Sequence, residues 1–164
     1  MELGAAFTPN KALALSLQGY FGKELPYDGE RSFVDFFGTY DLTTALSLAV
    51  NLDWGKQRQS IGSDLDWDGI AGYMTYALSD HWRVSLRAEY LNDKDGLFTG
   101  TPQKLKEATL TFGFAPNKHF ELRIEGRYDK SDQVTFLKVQ PSSPDGPQYA
   151  DEQSEFALQG ILKL

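Results

Sequence analysis

From Phe120 onward the chain alternates apolar or small residues with polar ones. Phe120, Leu122, Ile124, Gly126 and Tyr128 fall on one side, and Glu121, Arg123, Glu125, Arg127 and Asp129 on the other. Strict period two over this length predicts a β-strand with one apolar face, because a helix would scatter both sets around its circumference. The pattern recurs at Leu13, Leu15, Leu17, Gly19 and Phe21, and at Leu46, Leu48, Val50, Leu52 and Trp54. It recurs again at Trp82, Val84, Leu86, Ala88 and Tyr90, with Arg83, Ser85, Arg87 and Glu89 opposite. Each of these strands ends in an aromatic residue.

The four strands are parts of a repeated unit. Each follows a short turn: Pro9 to Lys11, Asp41 to Thr44, Ser79 to His81, and Pro116 to His119. Before each turn lies another alternating segment, in order Leu3/Ala5/Phe7, Val34/Phe36/Gly38/Tyr40, Gly72/Met74/Tyr76/Leu78 and Leu110/Phe112/Phe114. The unit is therefore a tight β-hairpin. Longer polar links join the hairpins: Gly22 to Arg31, Gly55 to Gly69, Leu91 to Leu105, and Lys130 to Gln153. The last contains Pro141 to Gly146, a flexible loop tip by composition. A final segment, Phe156/Leu158/Gly160/Leu162/Leu164, brings the strand-like segments to nine. No domain boundary interrupts residues 1–164, so a single β-barrel domain is expected.

Composition narrows the class. The 164 residues include 41% hydrophobic and 24% charged side chains, which describes a folded chain. Cysteine is absent, which removes disulfides, thiolate metal sites and cysteine nucleophiles. Sixteen Lys and Arg against 23 Asp and Glu give a net charge of -7, with no basic patch suited to nucleic acid. No stretch free of charge exceeds eleven residues, whereas a transmembrane helix needs ~20 apolar ones. Met1-Glu2-Leu3-Gly4 does not open a secretory signal. A membrane β-barrel survives these tests, because alternation lets a spanning chain keep a mean hydropathy as low as -0.41.

Short turns at one end and long links at the other suit such a barrel. Eight residues tilted by ~40° rise about 20 Å, close to the ~25 Å apolar band between aromatic girdles. Trp82, Phe120, Tyr40, Tyr76, Phe114 and Phe7 would form the girdle beside the turns. Phe21, Trp54, Tyr90 and Tyr128 would form the other. The opposite face carries polar residues but also many Ala and Gly, which a crowded lumen needs and a solvated outer surface does not. The expected fold is all-β, an up-and-down antiparallel transmembrane β-barrel of about 8–10 strands if it closes alone.

Ala88 to Gly96 (AEYLNDKDG), Phe112 to Asn117 (FGFAPN) and Glu121 to Asp132 (ELRIEGRYDKSD) resemble the carboxy-terminal part of the putative β-barrel porins of Gram-negative outer membranes. The likeness is specific over residues 71–164 and weaker before them. It implies an outer-membrane location, contact with outer-membrane lipid, and passive diffusion of small polar solutes. It supplies no catalytic residues. Members of that family are usually longer and usually end in an aromatic, whereas this chain ends Leu162-Lys163-Leu164. Nine segments also break the even-number rule of bacterial barrels, so either a preceding strand is missing or the first segment is not a full wall strand, in which case Ala12 to Leu164 would supply eight. A mature fragment, or the carboxy-terminal part of a larger barrel, is therefore expected.

Candidate chemistry is sparse. His81 and His119 sit in turns, away from any strand-borne serine or acid, so no catalytic residue and no enzyme activity is expected. Asp64-Leu65-Asp66-Trp67-Asp68-Gly69 opens like a calcium loop, but its twelfth position is Thr75, and Asp93-Lys94-Asp95-Gly96 is weaker still. Both are expected to be solvated loops without metal, and no cofactor is expected. The lumen-lining candidates are Arg83, Arg87, Glu89, Glu121, Arg123, Glu125 and Arg127; the lipid-facing ones are Phe21, Trp54, Trp82, Tyr90, Phe120 and Tyr128. Between the two arginine strands, Thr109, Thr111 and Gly113 leave room for long side chains to reach across. Four arginines against three glutamates leave one cation over, to border water or to pair with a carboxylate elsewhere, such as Asp53. Two readings stand: a porin-like channel with a charged lumen, or a small closed barrel, filled by salt bridges, with a structural or loop-binding role.

Overall fold

A computed structural model describes residues 1–24, 29–138 and 146–163. Most of the expected loop tip at Pro141 to Gly146, and Leu164 of the last segment, lie outside them. Nine strands form one sheet in chain order. They are β1 (Glu2–Asn10), β2 (Leu13–Lys23), β3 (Glu30–Asp41), β4 (Leu46–Gln57), β5 (Leu65–Ala77), β6 (Trp82–Asp93), β7 (Gln103–Asn117), β8 (Phe120–Ser131) and β11 (Glu152–Leu162). All neighbours pair antiparallel. The link after β8 is not all loop: β9 (Phe136–Lys138) and β10 (Gln148–Ala150) form a small separate hairpin there. The strands also run past their far aromatics into the expected links, to Gln57 in β4 and Asp93 in β6.

The four tight turns share one device. The Asn10 side-chain oxygen accepts from the amides of Ala12 and Leu13, at 2.8 and 3.0 Å. Thr43 does the same for Ala45 and Leu46, Ser79 for His81 and Trp82, and Asn117 for His119 and Phe120. A short polar side chain thus replaces the ladder partner that the reversing backbone loses. The two histidines lie beside these turns. His81 Nδ1 donates to the Ala115 carbonyl at 3.0 Å, and His119 Nδ1 to the Lys163 carbonyl at 3.1 Å. Each stitches its turn to the end of the neighbouring strand.

The register puts all polar sets on one face. Leu86 pairs with Met74 and Leu110, while Arg87 pairs with Tyr73 and Thr109. A soluble sheet buries its apolar face, but here the polar face is the packed one. Gln57, Asp93, Glu107, Thr109, Glu121, Asp129 and Ser131 are buried, whereas Ile124 is 60% exposed and Leu86, Leu110 and Phe112 are exposed with it.

The sheet is open. β1 pairs with β2 along most of its length, so the first segment is a full wall strand. Neither β1 nor β11 has a second neighbour, and closure of β2 onto β11 as an eight-stranded barrel is not seen among the described residues. β1 and β11 both run from the loop end to the turn end, so they cannot pair antiparallel with each other.

Candidate functional site

The polar face over β6, β7 and β8 carries a network of ion pairs. Arg83 reaches across β7 to Glu121, which also meets Arg123 at 2.5 Å and Lys163 at 3.2 Å. The side chain of Glu121 has no exposed surface. Arg87 pairs with Glu89 on its own strand and with Glu107 on β7 at 2.5 Å, and its guanidinium lies 5.8 Å from the Tyr73 ring centre. Arg127 is held by Asp129 at 2.8 Å. Glu125 accepts from the Thr111 hydroxyl at 2.7 Å, and the Thr109 hydroxyl donates to Glu107.

This arrangement corrects the charge count made from the sequence. No arginine of the four is left over, because Glu107 and Asp129 join the network. Asp53 takes no part; it stands opposite Asp35 on β3, whose carboxylate accepts from Asn51. Both acids were within reach of the alternation: Asp129 already falls on the polar side, two residues after Arg127, and Glu107, which was passed over, lies two before Thr109. The threonines are also more than spacers, since each holds a carboxylate. Only Gly113 is passed over, by Arg83.

Nearer the loop end the polar face is aromatic. Trp67 is 4% exposed, and its ring lies flat on Gly55, where an added Cβ would fall 1.7 Å from a ring carbon. Phe33 stacks beside it at 6.2 Å, and Phe98 meets it edge-on at 5.1 Å. Phe98 belongs to the β6–β7 connection, residues 94–102, which folds back over this face. Asp93 fastens that loop. Its fully buried carboxylate accepts from the amides of Leu97, Phe98 and Thr99 and from the Thr99 hydroxyl, at 2.8 to 3.1 Å. Gly96 and Gly100 take φ of +74° and +78°, a backbone that side chains resist.

The apolar face carries aromatics at two heights. Trp82 packs against Phe114 at 4.5 Å beside the turns, with Phe120 on the same face. Phe21, Trp54, Tyr90 and Tyr128 lie toward the loops, where the Tyr128 hydroxyl donates to Glu152 at 2.7 Å. Past them this face becomes charged. Lys56 pairs with Asp64 and Asp66, Asn92 donates to Asp68, and Lys130 pairs with Asp151. The Lys130 ammonium, bonded at 2.7 Å, holds the Asp151 carboxyl below the usual carboxylate range. The Asp66 and Asp68 of the calcium-like segment are thus strand residues with partners of their own, and no cluster among the described residues could hold a metal ion.

A sheet with an ion-paired face, an apolar face and aromatics at two heights invites comparison with outer-membrane proteins. The family model described as "Putative beta-barrel porin-2, OmpL-like" matches residues 1–163. The chain belongs to this porin family. The porin sheet also resembles the solved anion-selective porin from Comamonas acidovorans, with a TM-score of 0.74 at 16% identity. The likeness covers 96% of this chain and 46% of that one, so this porin chain spans about half the length of its structural neighbour. None of the curated proteins matches it.

Proposed function

We propose that this porin chain is one domain forming part of the wall of an outer-membrane channel, through which small polar solutes diffuse passively. The reading rests on one observation: the packed face is ionic and the exposed face is apolar. That inversion suits a wall with water on the inside and lipid on the outside. Arg83, Arg87, Glu89, Glu121, Arg123, Glu125 and Arg127 then line the passage, and Phe21, Trp54, Trp82, Tyr90, Phe120 and Tyr128 meet lipid near its two interfaces.

Strand direction supports a wider barrel than nine strands. Edges that run the same way are bridged antiparallel only by an odd number of further strands, which makes the total even. A second copy related by a twofold axis along the membrane normal would present β1 beside β11 in parallel, which does not suit this architecture. The structural neighbour is anion-selective. On this chain's polar face the cations and acids of the ion-pair network are equal in number, and further acids, among them Asp35, Asp53 and Asp93, tip the face negative, which favours cations and neutral solutes. Reconstitution of the protein in planar bilayers tests the reading. Stepwise single-channel conductance with a cation-weighted reversal potential is expected; a folded, inserted protein that never conducts would overturn it.

A further inference from the structure

Next to the aromatic patch, a cavity of about 800 Å³ opens on the polar face between β1, β2, β3 and the 94–102 loop. Its floor is apolar, made by Phe33, Trp67 and Phe98. Its opposite side is polar, made by Glu2, Gln18 and Tyr20, which register places on adjoining strands facing the same way. Such a volume falls within the ~300–1,000 Å³ of small-molecule sites.

Phe98 borders the cavity from the 94–102 loop. It is 57% exposed, although it sits on a loop that Asp93 ties down with four hydrogen bonds. A large aromatic held over the polar face, its ring at 82° to Trp67 with centres 5.1 Å apart, presents apolar surface that this sheet leaves uncovered.

Both signs of charge border the cavity. Glu2 and Glu24 stand on one side; on the other the Arg31 guanidinium lies 5.8 Å from the Trp67 ring centre, with its Nε donating to Gln57 at 3.0 Å. A small ion of either sign therefore meets a like charge there. A purely apolar ring would strip water from Gln18, Tyr20 and Glu2 without replacing it. A flat ring with C–H faces and hydroxyl edges suits both sides at once, its faces on the aromatics and its hydroxyls on the amide, phenol and carboxylate.

We propose that this cavity is a binding station for neutral pyranosides in transit. The proposal rests on the polar face lining the passage, and its test separates the two readings. Replacing Trp54 and Trp82 by Phe leaves Trp67 as the only tryptophan and an optical reporter of the site. Maltose titrated into this protein, refolded in detergent, should shift the Trp67 emission saturably. Phe98→Ala should weaken that response about tenfold, Phe98→Tyr should restore it, and Phe112→Ala on the apolar face should leave it unchanged. No response in a protein that conducts ions would overturn the station and leave the channel reading standing. A response without ion conductance would do the reverse. A response to choline or benzoate but not to maltose would overturn the neutral class. If the single-tryptophan protein does not refold, calorimetric titration of the unsubstituted protein with maltose decides the matter, absence of saturable heat overturning the station.

Discussion

Arg83 is ion-paired with Glu121 two strands away, its side chain passing over Gly113. A Cβ at Gly113 would lie 3.1 Å from Arg83 Cγ and 3.2 Å from its Nε, so a side chain there crowds Arg83, which must give way by a few tenths of an ångström. Gly113→Val is expected to destabilise the sheet by ~1–3 kcal/mol through overpacking. Gly72→Val, on the apolar face with nothing within 4 Å, is the control. Urea titration of folding in lipid vesicles checks both, and equal effects would remove the special role of Gly113.

Glu121 gathers three cations. Glu121→Gln leaves Arg83, Arg123 and Lys163 close together without their shared carboxylate. Losing one member of a fully buried pair costs about 3–5 kcal/mol, but these cations keep a third or more of their surface, so roughly 2 kcal/mol is expected. Adding Arg83→Gln should recover part of the loss, as a double-mutant cycle would read. Additive losses would place the two residues in separate interactions.

Neighbouring residues on β6 report the two faces. Leu86→Arg is expected to cost ~2–4 kcal/mol of folding stability in bilayers, and Ser85→Arg distinctly less. The measurement is refolding in vesicles. A reversed order would exchange lipid and lumen.

Asp93 holds the 94–102 loop against the wall. Asp93→Ala removes an acceptor from three amides and a hydroxyl, each such bond to a charged group being worth about 1.5–3 kcal/mol. Limited proteolysis should then cut within residues 94–102 while the β-sheet circular dichroism stays unchanged. In a conducting protein the single-channel current should rise as the loop leaves the passage. A loop as resistant as before would show that other contacts hold it.

Charge reversal addresses permeation. Arg87→Glu together with Arg123→Glu should shift the reversal potential in a salt gradient further toward cations, because both side chains lie on the polar face. An unchanged potential in a folded, conducting variant would take these residues off the pathway.

The strands, their two faces and the turns are legible in the order of residues alone, because each is a local property. Period two fixes which side of a strand Leu122 and Arg123 occupy whatever the neighbours are, and Asn10, Thr43, Ser79 and Asn117 satisfy the reversing backbone from within the turn. Repeated hairpins then fix chain order in the sheet. The pairing of side chains across strands is not local and emerges from the folded sheet. Arg83 could have met an acid on β6, β7 or β8, and the register between strands selects Glu121 across Gly113 while giving Glu107 and Asp129 to the other arginines. It also brought Phe98 back onto Trp67, a contact between a loop and a strand one hairpin away, which no alternation encodes. Whether the sheet closes was likewise beyond the pattern, since closure depends on which edges meet, and β1 and β11 run the same way.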